Sequence, residues 1–239
     1  MGTTYKKYPN ARGLIVQEAA RMFIEEGYTK SSINRLSKNL EMSPGHITFY
    51  FPTKEHLLAV LVEEMIAYQR ITMEQETQEG TSSLLAYCLE LTAIAAVCEE
   101  SEIARDFYAS AYGTALTLDR IRANDAEKTR SIFIPFHPEW TEEQWVAIEN
   151  IVSGIEYGTI MTREEKTPLE VQIELTLNTI LYLFGVPEDI RRAKIEKVLA
   201  MDYRALGHKL LLGFPEYVAK VNKEGLRPRR RMVIYVDDI

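Results

Sequence analysis

Apolar residues recur at intervals of three and four along almost the whole chain, the period of one helix face, while strict alternation is nearly absent before the last few residues. The pattern predicts an all-α protein. A first helix is expected over residues 11–26, with Leu14, Ile15, Ala19, Met22 and Phe23 on its apolar side and Gly27 as its C-cap. Ser31 or Ser32 caps a short helix bearing Ile33, Leu36 and Leu40. Glu41-Met42-Ser43 forms a turn, and Ser43-Pro44 opens another short helix, because Ser caps well and Pro at the first helical position loses no hydrogen bond. Phe51-Pro52-Thr53 ends it. Thr53 then caps a long helix over residues 54–78 carrying Leu57, Leu58, Leu61, Met65 and Tyr68. Further helices are expected over residues 82–98, 101–112, 117–133, 141–161, 168–184, 187–203 and 206–217, with a Pro-containing break at 135–138. The tail differs: Arg227 to Arg231 is basic, and Met232 to Val236 has strand-like composition.

A chain of 239 residues accommodates one small and one ordinary domain, here expected at residues 1–53 and 54–239. The overall charge of −7 argues against a uniformly basic nucleic-acid binder, but its distribution changes the picture. Residues 1–58 hold eight Lys and Arg against five Glu, a net +3, which leaves −10 for the remainder. That asymmetry suits a small module touching phosphate, joined to an acidic body that does not.

Other chemistry is sparse. Cys88 and Cys98, ten apart on one helical segment, suggest neither a disulfide framework nor a metal site, and read as core residues. His46, His56, His137 and His208 are far apart, so no metal or other cofactor is implied. No apolar run reaches membrane-spanning length and no leader precedes residue 10, so the expectation is a cytoplasmic protein with no membrane partner. No nucleophile beside a base, phosphate-binding Gly loop or zinc helix motif supports an enzyme.

Two short helices joined by a tight turn and braced by a preceding helix can place the second short helix in a DNA major groove. The stretch Gly27-Tyr28-Thr29-Lys30-Ser31-Ser32-Ile33, then Leu36-Ser37, Met42-Ser43-Pro44-Gly45, and Phe49-Tyr50-Phe51-Pro52-Thr53-Lys54-Glu55-His56-Leu57-Leu58 resembles the TetR/AcrR family of one-component transcriptional regulators. The likeness runs over residues 13–62; beyond it the chain is similar only in helical character and length. The resemblance implies that Ser31 and Ser32 hold phosphate at the second helix, with Asn34 and Arg35 reaching a base edge or the backbone. It further implies that Ser43, Pro44, Gly45 and His46 open the recognition helix. The small Gly45 allows close approach to the bases, and Tyr50 and Lys54 meet the DNA backbone. The family usually has an aromatic residue where this chain has Thr48; Thr48 still offers a hydroxyl, and Phe49 offers an apolar surface for a thymine methyl.

For the body, the resemblance implies a homodimer binding a double-stranded, pseudo-palindromic operator and releasing it on binding a small-molecule effector. On one face of the long helix lie Trp145, Ile148, Val152, Ile155 and Thr159. Val171, Leu175, Asn178 and Tyr182 lie on one face of the next, so the pair could form a four-helix dimer interface or face the monomer's own core. Cys88, Leu91, Phe107, Tyr108 and Tyr112, with Tyr68 and Tyr157, would make an aromatic effector cavity; the same spacing also fits plain core. Two further readings stay open: a helix-turn-helix used for protein contact alone, and a small helical enzyme.

Overall fold

The computed structural model describes residues 10–79, 83–161 and 167–224. These form eleven α-helices and no strand: α1 (Ala11–Glu25), α2 (Ile33–Asn39), α3 (Pro44–Tyr50), α4 (Lys54–Thr77), α5 (Leu84–Glu100), α6 (Glu102–Gly113), α7 (Ala115–Phe133), α8 (Glu142–Met161), α9 (Leu169–Leu183), α10 (Glu188–Leu199) and α11 (Tyr203–Glu224). A 3-10 turn, Ile134–Phe136, occupies the expected break before α8. The basic run and the strand-like segment of the tail lie outside the described residues.

Helix starts follow the local chemistry. The Ser32 and Ser43 hydroxyls accept the backbone N–H groups of Arg35 and His46, each at 3.2 Å, and Ser83 and Ser101 cap α5 and α6 in the same way. Thr53 occupies the N-cap position of α4 but makes no cap bond; its hydroxyl pairs instead with His56 Nδ1 at 2.9 Å. The α1–α2 turn requires Gly27, whose φ of +93° is a conformation open to Gly at no steric cost.

α5 is the central post. It is buried nearly all round and packs against α4, α6, α8, α9, α10 and α11, which explains why its sequence is apolar without a polar face. The last helix is longer than its periodicity predicts. α11 starts at Tyr203 and continues through Pro215 to Glu224, because burial of Phe214 and Val218 against its neighbours outweighs the one hydrogen bond the proline removes.

The N-terminal module does not stand apart from the body. α1 packs along α11 and α6, and the Asn222 amide donates to the Gly13 carbonyl at 3.3 Å. α4 begins at the expected domain boundary and runs on among the body helices, touching α5, α7 and α11.

Candidate DNA-binding surface and effector cavity

Seven residues bring α3 to the surface with one side inward. Ile47 is fully buried beside Phe51, whereas Ser43, Pro44, Gly45, Thr48 and Phe49 are exposed, Phe49 by 80%. An aromatic side chain that exposed, on a helix too short to support itself, is unusual for a packing module. His46 and Tyr50 are half-buried and meet edge to face, and Phe49 meets Tyr50 in the same way. Around Gly45 a Cβ would meet nothing within 4 Å, so the fold itself does not demand glycine there and its small profile faces outward. Beside α3, Ser32, Asn34 and Arg35 are exposed on α2, the Arg35 guanidinium paired with Glu26 at 2.7 Å.

Two of the residues singled out from the sequence have tasks inside the protein. Ser31 is buried and its hydroxyl donates to the Gly27 carbonyl at 2.7 Å. The Lys54 ammonium donates to the carbonyls of Tyr28 and Ser31, both at 3.1 Å, and lies 3.9 Å from the centre of the Tyr28 ring. Both residues close the α1–α2 turn.

The same turn is tied to the body. Asp106 on α6 accepts the Thr29 backbone N–H at 2.8 Å and also takes the Thr29 hydroxyl. The next two residues on α6, Phe107 and Tyr108, line a cavity of about 60 Å³ among α4, α5, α6, α7 and α8. α6 is thus a second connection between cavity and DNA-facing module, beside α4, which contributes Val62, Met65, Ile66 and Gln69 to the same wall. Nothing in the local sequence around Asp106 marks it, since its partner is 77 residues away.

Of the expected effector residues, Leu91, Phe107, Tyr108 and Tyr112 line this cavity. The other three do not. Tyr68 on α4 faces α11, stacked on Tyr217 at 4.8 Å, and Cys88 is fully buried elsewhere on α5. Tyr157 is 43% exposed and packs against Tyr112, at 5.8 Å between ring centres, without lining the space.

The reason is helical phase: a residue one step along a helix turns by about 100°, and spacing alone does not say which face meets which neighbour. The missed lining residues include a polar set: Gln69, Tyr87, Glu90, Asp125, Lys128 and Glu156. The Gln69 amide donates to the Tyr108 hydroxyl at 2.9 Å, and the Tyr87 hydroxyl donates to Glu156 at 2.7 Å. A signal was present in α8, where Glu149 and Glu156 interrupt the buried row of Trp145, Val152 and Ile160 at spacings of three and four.

That row also corrects the dimer face. Trp145 and Val152 are buried in the monomer, Trp145 edge-on to Trp140 at 4.8 Å and beside Phe184, which stacks on Phe133 at 3.9 Å. Ile148 and Ile155 are half-buried and pack against the same core. Leu175 and Tyr182, by contrast, are 63% and 67% exposed on α9. Val146 and Ile151 on α8 and Val171 on α9 are exposed as well, and on α8 a Cβ at Gly154 or Gly158 would meet nothing within 4 Å.

Burial also acts on the carboxylates. Glu149 is pushed up to about 7, first by burial and then by repulsion from Asp125. Asp125 and Glu156 are likewise raised above the usual carboxylate range by burial, Glu156 further by repulsion from Asp125. Among the described residues no group of His, Cys, Asp and Glu could hold a metal ion, and no helix is long and apolar enough to cross a membrane.

Residues 15–61 match the family described as bacterial regulatory proteins, tetR family. The uncharacterized HTH-type transcriptional regulator YuxN of Bacillus subtilis (strain 168) is 28% identical over 81 residues, 34% of this chain. The matched stretch spans only 28% of that relative's length. Two crystal structures of gamma-butyrolactone receptors, described as ArpA-like, align over 85% and 87% of this chain and 98% and 100% of theirs, at 15% and 14% identity and TM-scores of 0.43 and 0.41.

Proposed function

We propose, from the match of residues 15–61 to the tetR family, that this chain is a transcriptional regulator of that family, a ligand-responsive repressor binding a pseudo-palindromic operator as a homodimer. The observation that carries the reading is α3, whose outer side presents Ser43, Pro44, Gly45, Thr48 and Phe49 to solvent while Ile47 anchors it from within. His46 and Tyr50 at its flank, and Ser32, Asn34 and Arg35 on α2, complete the surface; Ser31 and Lys54 act by holding the adjoining turn. Base edges are read from α3, and phosphates are met by α2, the turn and Tyr50.

The second copy docks on the exposed face of α8 and α9. Ile151, Tyr157, Val171, Leu175 and Tyr182 supply apolar area there, and the glycines on α8 allow close helix approach. The effector enters the cavity lined by Leu91, Phe107, Tyr108 and Tyr112. It alters the spacing of the two recognition helices through α4 and through the Asp106 contact on α6.

The test is fluorescence anisotropy of the full-length protein on duplexes selected from a random library. The expected outcome is binding to a two-fold symmetric site as a dimer, with half-sites about 34–36 Å apart and affinity falling steeply with salt. Absence of binding to any duplex at low salt would overturn the reading in favour of a protein-contact module.

A further inference from the structure

The cavity wall carries more carboxyl groups than cations. Glu90, Asp125 and Glu156 line it together with a single ammonium, Lys128. That ammonium is committed: its Nζ lies 2.7 Å from Glu90 Oε2 and 5.5 Å from the Tyr87 ring centre. Asp125 and Glu156 feel the Lys128 charge, but among the described residues neither makes an ion pair within 4 Å with a cation. Glu156 is only 8% exposed, and one of its oxygens accepts the Tyr87 hydroxyl; among the described residues its other oxygen has no hydrogen bond. One oxygen of Glu149, two turns earlier on α8, is buried without a hydrogen-bond partner as well. Aromatic faces from Tyr87, Phe107, Tyr108 and Tyr112 supply the rest of the wall.

Resting on the reading of this cavity as the effector site, we propose that it takes an organic cation, a quaternary ammonium or protonated amine on a small apolar body, with its charge met by Asp125 and Glu156 and its head group held against the tyrosine rings. Buried carboxylates without a counter-charge are costly to ionise, and an entering cation removes that cost. Ring faces attract the same charge, most strongly where water is excluded. An anionic effector would meet two carboxyl groups that lose their protons against it, while the one ammonium among the described lining residues is already paired with Glu90.

Because burial holds protons on Asp125 and Glu156 to higher pH than usual, with repulsion from Glu90 on Asp125 and from Asp125 on Glu156, cation entry displaces a proton to solvent. The groups facing Glu156 across the cavity are Tyr87 and Glu90 on α5, Tyr112 on α6, and Asp125 and Lys128 on α7, with Glu149 on its own helix. Lys128 is the single cation among them.

The experiment compares benzyltrimethylammonium, a permanent cation, with its uncharged carbon isostere neopentylbenzene on the full-length protein, by thermal shift and by calorimetry in two buffers of different ionisation heat. The expected result is at least about tenfold tighter binding of the cation, with proton release, and loss of that preference in Glu156→Gln with the isostere's affinity unchanged. Asp125→Asn provides the second variant should Glu156→Gln fail to fold. Equal binding of the two probes, or binding of the isostere alone, overturns the cation proposal and leaves the effector cavity standing. If neither probe binds, both readings fall.

Discussion

Replacing Glu149 by Gln removes a carboxylate whose charge the fold holds at a disadvantage. The side chain is 4% exposed; Oε2 accepts the Thr129 hydroxyl at 2.9 Å, while Oε1 has no hydrogen-bond partner. Burial, then repulsion from Asp125, raises it from the ordinary 4.5 to about 7. At 1.36 kcal/mol per unit, the ionised folded protein bears a cost of about 3 kcal/mol. The folded state keeps this proton to higher pH than the unfolded chain, so the associated stability is fully present below pH 4.5 and is lost as pH rises through about 7. About 1.4 kcal/mol of the loss falls between pH 6 and pH 8. Urea unfolding followed by circular dichroism, on both proteins at both pH values, reads the contribution of Glu149 together with its smaller repulsion of Glu156. The wild type should lose about 1.4 kcal/mol more than Glu149→Gln over that interval, and the variant should be the more stable protein at pH 8. Parallel pH profiles would refute the reasoning, and would mean that the carboxylate is solvated or neutralised in the folded state.

Asp106→Ala cuts the contact between α6 and the α1–α2 turn; effector affinity without DNA should hold, while the effect of effector on operator affinity shrinks from the usual 1–3 kcal/mol of an allosteric pair, as reciprocal titration measures. Leu175→Glu combined with Tyr182→Glu should produce a folded monomer in sedimentation, whereas Trp145→Ala should instead cost about 3–5 kcal/mol of stability because it empties a packed aromatic site. Phe49→Ala should alter base preference in a binding-site selection while leaving the melting temperature nearly unchanged, given its exposure. Lys54→Met should lower both operator affinity and the melting temperature, because two carbonyls of the turn lose their shared donor; an effect on affinity alone would place the ammonium on DNA.

The all-α class, most of the helix starts and the helix-turn-helix were determined by the sequence itself. Ser32, Ser43 and Pro44 act within a few residues of their own position, and an apolar period of three to four needs no knowledge of the partner it faces. The direction of each face was decided only by tertiary structure. In α8 the inward row is Trp145, Glu149, Val152 and Glu156, so the residues expected at a dimer surface turned out to belong largely to the core. The cavity was half legible, through Leu91, Phe107, Tyr108 and Tyr112. Its charged half, Glu90, Asp125, Lys128 and Glu156, was not: on a sequence, a carboxylate reads as solvated until another helix is laid over it. Asp106 and Lys54 show the same limit. Each makes its decisive contact with a residue more than twenty positions away, and local periodicity carries no information about which distant backbone group will stand within hydrogen-bonding reach.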